Sequence, residues 1–332
     1  MSNVLRRLRL DPYILAIMGM VALAAILPAR GVGKEVLNHV VVAAIAILFF
    51  LYGARISPQA IWTGITHWRL QGLVFATTFV VFPLIGFAIV KLAGGYLGDG
   101  LATGLMFLCL LPSTVQSSIA FTSIARGNVP AALCSASVSN LAGVVITPVL
   151  ATMLLSAHSG GMSLNAVRDI ALQILLPFIV GQCARPIIGG WLSRQKTLTM
   201  LFDRGSILLV VYSAFSAGVV AGIWSKVTPQ SLALVIALDL VILSIVLVFT
   251  TVVSRTLRFT TEDEIAIVFC GSKKSMASGL PMANIIFPAS TVGLIVLPLM
   301  LFHQMQLMIC AALARRYSQR HDEPAPLVKA PA

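Results

Sequence analysis

Lys273 and Lys274 stand side by side in an otherwise apolar run, VFCGSKKSMASGLPMANIIF, from Val268 to Phe287. An ammonium group at bilayer depth costs roughly 2.5–3.5 kcal/mol on insertion scales. A chain retains two of them there only if they meet a wet cavity, a partner or a substrate. Around them, Gly271, Ser272, Ser275, Ser278, Gly279 and Pro281 make a helix that breaks easily. Interrupted helices with polar groups near the midplane are how many secondary transporters build a binding site. The chemistry that suits these residues is recognition of a charged solute or an ion.

A second polar interruption comes earlier, in LLPSTVQSSIAFTSIARGN. Pro112 disfavours helix at the residue before it and removes a backbone donor. Ser113, Thr114, Gln116, Ser117 and Ser118 follow, a density of polar groups that lipid does not tolerate. Hydroxyls and freed carbonyls can wrap a dehydrated cation or hold an anionic head group. Serines bonding back to their own helix, and small residues permitting close packing, explain one such segment equally well. Two segments at matched positions favour a site. In the helix after it, NVPAALCSASVSNLAG, Pro130 suits a first turn, and Ser137 and Asn140 share a face. Ser135 and Ser139 form a second polar pair. These side chains either complete a cation shell or supply an interhelical hydrogen bond, and both readings stand.

Two further candidates are isolated. Asp239 lies mid-span in LALVIALDLVILS, where it could pair with Lys273 or Lys274, carry protons, or serve only as a counter-ion. His303 shares a helix face with Gln306 in FHQMQL; a structural hydrogen bond to a neighbouring span outweighs substrate contact or proton relay. No metalloprotease, nucleophile-elbow or phosphate-loop signature occurs, so the chain is not read as an enzyme, and no cofactor is implied beyond sodium as a coupling ion.

The elements that position these residues follow from composition. The 332 residues are 58% hydrophobic and 10% charged, with a mean hydropathy of +0.96. Globular chains carry about 25% charged residues. The fold class is therefore an all-α membrane protein in a lipid bilayer. Ten spans are expected, at roughly 12–29, 36–54, 70–93, 99–125, 129–157, 168–190, 204–224, 229–253, 264–285 and 288–314. All five cysteines lie in apolar segments without zinc or redox spacing and are expected to be buried. The net charge of +12 reports topology rather than nucleic acid. With an inside N-terminus, 16 of the 23 Lys and Arg fall on the cytoplasmic side, placing both termini there, with the inner membrane as location. No cleavable leader is read at the N-terminus, where Arg6, Arg7 and Arg9 precede the first span.

The halves echo each other. QSSIA at 116–120 aligns with KKSMA at 273–277, an offset of 157. Five spans per half reverse the second half in the membrane, so a 5+5 inverted repeat is expected, with discontinuous helices 4 and 9 as equivalents. The organisation is a cytoplasmic N-terminus at 1–11, repeats at 12–157 and 168–314, and a disordered cytoplasmic tail at 318–332.

The segments LLPSTVQSSIAFTSIARGN, SASVSN and FCGSKKSMASGLPMAN together resemble the bile acid:sodium symporter superfamily, in its SBF-like branch, from about residue 10 to residue 317. The resemblance implies a panel of spans one, two, six and seven and a core of the other six, with helices 4 and 9 broken and crossing. It implies alternating-access transport of a small organic anion or amphipathic solute from a crevice between panel and core. It places Ser117 and Ser118 at the polar position of span four, and Ser135, Ser137 and Asn140 near the span-five ligands. Ser275 matches the serine of the span-nine motif. Ser117, Ser118 and Asn140 are thereby the sodium candidates. The chain departs from the bile-acid branch in span nine, with apolar residues at Val268 and Phe269 in place of a glutamate and Lys273–Lys274 in place of glutamine and asparagine. A lysine could then occupy the space of a sodium ion, or face the crevice and pair with an anionic substrate. The alternative of another class is a membrane regulator or scaffold with the fold but no flux. Oligomeric state and substrate identity stay open.

Overall fold

The computed structural model describes residues 12–55, 67–159 and 171–319, and the regular elements among them are all helical. The segment 1–11 and the residues beyond Gln319, expected to be a cytoplasmic arm and a tail, lie outside the described residues. Before residue 160 come α1 (Pro12–Ile26), α2 (Val32–Arg55), α3 (Trp68–Leu97, with a π turn at Thr77–Val81), α4 (Asp99–Leu110), α5 (Gln116–Ile124) and α6 (Val129–Ser159). After residue 170 come α7 (Leu176–Arg194, entered through a π turn), α8 (Lys196–Val220), α9 (Pro229–Thr256), α10 (Thr261–Gly271), α11 (Met276–Ile286) and α12 (Ala289–Gln319).

By length and apolarity, α2, α3, α6, α7, α8, α9 and α12 suffice to cross a membrane, seven among the described residues. The chain is an integral membrane protein. The expected spans at 99–125 and 264–285 are each two shorter helices, α4–α5 and α10–α11, separated by non-helical residues at 111–115 and 272–275.

Local chemistry explains the boundaries. Thr228 and Ser231 form a reciprocal capping box at the start of α9, with Pro229 in its first turn. The Asn128 side chain accepts from the Ala131 N–H to start α6, and the Thr260 side chain accepts from the Asp263 N–H to start α10. Along α9 the outward residues Val241, Ile245, Val248 and Val252 recur every three or four positions and are exposed toward lipid. The opposite stripe, Val235, Asp239, Ile242 and Val246, is buried.

Packing divides the helices. α1, α2 and α7 pack with α8, and α2 lies closely along α7. There a side chain at Gly53 would meet the Phe178 carbonyl, and one at Gly181 the Phe50 carbonyl, so glycine on both sides lets the backbones touch. The other helices pack among themselves, and α8 joins them through α11 and α12. At the far ends of α9, α10 and α12, Arg255 grips Glu264 through two hydrogen bonds of 2.9 Å each, and the Tyr317 hydroxyl donates to Glu264 at 2.7 Å. Four cysteines are buried as expected, but Cys183 is exposed, on the outer face of α7.

Candidate functional site

A break in a membrane helix leaves backbone carbonyls that lipid cannot satisfy. In and around the break after α4 several freed carbonyls have donors from elsewhere. Leu110 O accepts from the Thr147 hydroxyl at 2.8 Å, Pro112 O from the Ser275 N–H at 2.8 Å, and Ser113 O from the Asn140 amide at 2.6 Å. The break after α10 is held from the first. Ser113 Oγ donates to Cys270 O at 2.6 Å and Ser118 Oγ to Phe269 O at 3.0 Å. Gln306 of α12 clasps the second break. Its Oε1 accepts from the Lys274 N–H at 2.9 Å, and its Nε2 donates to Lys274 O at 3.0 Å. The two interruptions are thus one hydrogen-bonded unit.

Neither lysine lines a wet gap, contrary to the expectation from sequence. Both are 0% exposed. Lys274 Nζ donates to Thr78 O at 2.9 Å, Cys109 O at 2.9 Å and Leu111 O at 2.7 Å, with the Phe82 ring centroid 4.0 Å away. Three N–H donors meet three acceptors, and the aromatic face adds a cation–π contact. Thr78 O is free to accept because the Phe82 N–H goes to Thr77 O and Pro83 has no N–H. Lys273 Nζ donates to Ser117 O at 2.8 Å and lies between the Phe121 and Phe269 rings, 4.0 and 5.3 Å from their centroids. Four-carbon stems carry the ammonium groups away from the break into carbonyl and aromatic cages.

The cavity lies on the other side of the breaks. It measures about 650 Å³. One wall comes from α1, α2, α7 and α8 and carries Tyr13, Ile17, Tyr52, Phe178 and Ile207 with Arg55 and Arg204. The Arg204 guanidinium sits 5.0 Å from the Tyr13 ring centroid. The other helices and the two breaks contribute Thr114, Gln116, Ser117, Ser137, Asn140, Ser275, His303 and Gln304, interspersed with Val115, Ala120, Leu133, Val144, Met276, Ala277 and Leu307.

Of the residues singled out from sequence, Gln116, Ser117, Ser137, Asn140, Ser275 and His303 therefore meet at the cavity, whereas Ser118, Ser135, Asp239, Lys273 and Lys274 do not line it. The sodium candidates are engaged with protein. Ser117 Oγ lies 2.6 Å from Thr114 Oγ1, Ser118 Oγ donates to Phe269 O, and Asn140 Oδ1 accepts from the Ser278 hydroxyl at 2.9 Å. Ser135 Oγ is buried without a hydrogen-bond partner among the described residues. His303 Nδ1 bonds Gln306 Nε2 at 2.8 Å on its own helix, and the ring also bonds the Lys274 backbone in the second break. Because Gln306 Nε2 is the donor, Nδ1 must accept, and a neutral His303 carries its proton on Nε2. Tyr13, Tyr52, Phe178, Arg55 and Arg204 were not read as site residues. Their only signals were ordinary ones, aromatic rings in spans and arginines at span ends.

Asp239 is fully buried, and neither carboxyl oxygen has a hydrogen-bond partner among the described residues. It does not pair with Lys274, whose three donors are spent on carbonyls, or with Lys273, which meets Ser117 O and two aromatic rings. A buried polar group without a partner costs about 1–3 kcal/mol. Asp239→Val should accordingly raise thermal stability in detergent by roughly that much. A lower melting temperature in this variant would mean that the carboxyl group is held after all.

A profile of the SBF-like CPA transporter family matches residues 11–319. The chain belongs to that family. Protein PA2026 of Pseudomonas aeruginosa is 54% identical over 316 residues, covering 95% of each chain. The protein named "Putative symporter YfeH" of Escherichia coli is 49% identical over 314 residues, again 95% of each. Sodium/bile acid cotransporter 7-A of Xenopus laevis is 27% identical over 321 residues, covering 94% of this chain and 92% of its own. As a member of the SBF-like CPA family, the chain is a membrane transporter of the bile acid:sodium symporter kind rather than an enzyme.

Proposed function

We propose that this SBF-like CPA family member is a secondary transporter that moves an amphipathic organic anion across the inner membrane by alternating access. In this reading the chain has ten spans in two inverted five-helix repeats, with both termini cytoplasmic. The pairs α4–α5 and α10–α11 are the interrupted fourth and ninth spans, crossing at their breaks. α1, α2, α7 and α8 form the panel, the remaining helices the core, and the solute sits between them. Two interrupted helices joined at their breaks are a typical way for such transporters to build a site.

The observation that carries the reading is the makeup of the cavity, a largely apolar lining with both of its arginines on one group of helices. Its volume is within the range of about 300–1,000 Å³ usual for small-molecule sites. Both arginines of the lining come from α2 and α8, beside Tyr13, Ile17, Tyr52, Phe178 and Ile207, while the hydroxyls and amides come from the other helices and the two breaks, interspersed with apolar residues such as Leu133, Val144 and Leu307. An apolar body would lie along Tyr13, Tyr52, Phe178 and Ile207, with its acid group against Arg55 and Arg204. Polar substituents would face Gln116, Ser117, Ser137 and Asn140. A relative named as a sodium/bile acid cotransporter fits a solute of that class.

The test is uptake into proteoliposomes of a panel of steroid acids and other amphipathic carboxylates. Arg204→Gln and Arg55→Gln should each raise the KM of the transported acid about tenfold or more, equivalent to about 1.4 kcal/mol. Their melting temperatures without solute should stay near that of the parent. Unchanged KM in the double variant, or no organic anion that is taken up or stabilises the protein, would overturn the proposal.

A further inference from the structure

We infer that the carbonyl oxygens of Thr78, Cys109 and Leu111 form a monovalent-cation site that the chain fills with its own Lys274 side chain. Three observations converge. The oxygens come from two different helices and point at one spot, 2.7–2.9 Å from a single nitrogen. Two belong to the end of α4 and its break, and the third lies in the α3 π turn, where Pro83 has no N–H to give it, so local backbone geometry frees them for an outside partner. The Phe82 ring closes a further side at 4.0 Å. Backbone carbonyls in place of a hydration shell are how proteins hold bare alkali ions, and an aromatic face serves the same charge.

The compensation is specific. Neutral amides rather than a carboxylate surround the ammonium, and Asp239 makes no ion pair with it. A group of three carbonyl dipoles suits one positive charge of ammonium size, whether tethered or free. Tethering removes the entropy cost of capturing an ion from solution and makes the charge independent of salt. The inference deepens the transport reading, on which its meaning for coupling rests: at this position no inorganic cation enters or leaves with the solute.

Melting temperature in detergent tests it without any transported solute, so its failure and that of the transport reading are separable. Wild type and Lys274→Ala are compared in choline chloride and in lithium, sodium, potassium and methylammonium chlorides at constant ionic strength. Wild type should melt at the same temperature in all of them. Lys274→Ala should melt lower in choline and recover by several degrees, saturably, with methylammonium or one of the alkali ions. Lys274→Gln is the second variant; a neutral amide without the full donor set should show a smaller recovery of the same selectivity. An alkali-ion shift in wild type with the same selectivity and midpoint as in Lys274→Ala overturns the inference, because the ion then binds regardless of the lysine. So does the absence of any cation-selective recovery in both variants.

Discussion

Lys274→Met is expected to lower the unfolding free energy by about 3 kcal/mol or more, measured in choline medium. Methionine has nearly the length of lysine and fills the same channel, so little of the loss is cavity. What disappears is the donor set. Thr78 O, Cys109 O and Leu111 O then face an apolar thioether where water does not reach, and each unsatisfied buried acceptor costs about 1–3 kcal/mol. Removing the buried charge returns part of that, because ammonium desolvation no longer opposes folding. The three-carbonyl deficit is the larger quantity. Unfolding can be followed with a thiol-reactive dye: Cys109, Cys270 and Cys310 are buried in the native chain, while Cys183 is exposed. A Lys274→Met protein as stable as the parent would show that the carbonyls find other partners.

Gln306→Leu should be nearly as severe, roughly 2–4 kcal/mol, and should act through the backbone of the second break. The side chain is fully buried and holds both the N–H and the C=O of Lys274. Leucine matches its bulk and offers neither partner, leaving two peptide groups unpaired in an apolar surround. Gln306→Glu separates the two bonds. A carboxylate still accepts from the Lys274 N–H but cannot donate to Lys274 O or to His303 Nδ1. An intermediate melting temperature for Gln306→Glu, between wild type and Gln306→Leu, is the expected result; equal stability of all three would mean that the clasp contributes nothing.

Both effects depend on how the breaks are closed, and the sequence announced only that there would be breaks. Pro112 with its serines, and the Gly–Ser–Lys–Lys–Ser run, mark positions where a helix loses donors or gains competing ones. Local chemistry of that kind operates over a few residues and is readable in order along the chain. The membrane class is readable for the same reason, since spans are set by length and apolarity. So is the start of α6, where Pro130 falls in the first turn.

The direction in which the lysines point is another matter. Two ammonium groups in an apolar run indicate an expensive feature with a partner, and a wet cavity was the natural candidate. The partners are carbonyls of α3, α4 and α5, between 156 and 196 residues away in the chain. Main-chain acceptors carry no residue-type signature; only Pro83, which strips the Thr78 carbonyl of its helical donor, hints at one. Arg55 and Arg204 were hidden differently. In the chain they count as charges that orient a span, and only the approach of α2 and α8 to the breaks turns them toward a cavity. Residue types thus disclosed which groups are costly to bury, because cost is intrinsic to each group. Which of them share a space was settled by helix packing, because long-range proximity is a property of the assembled bundle and not of any window along the chain.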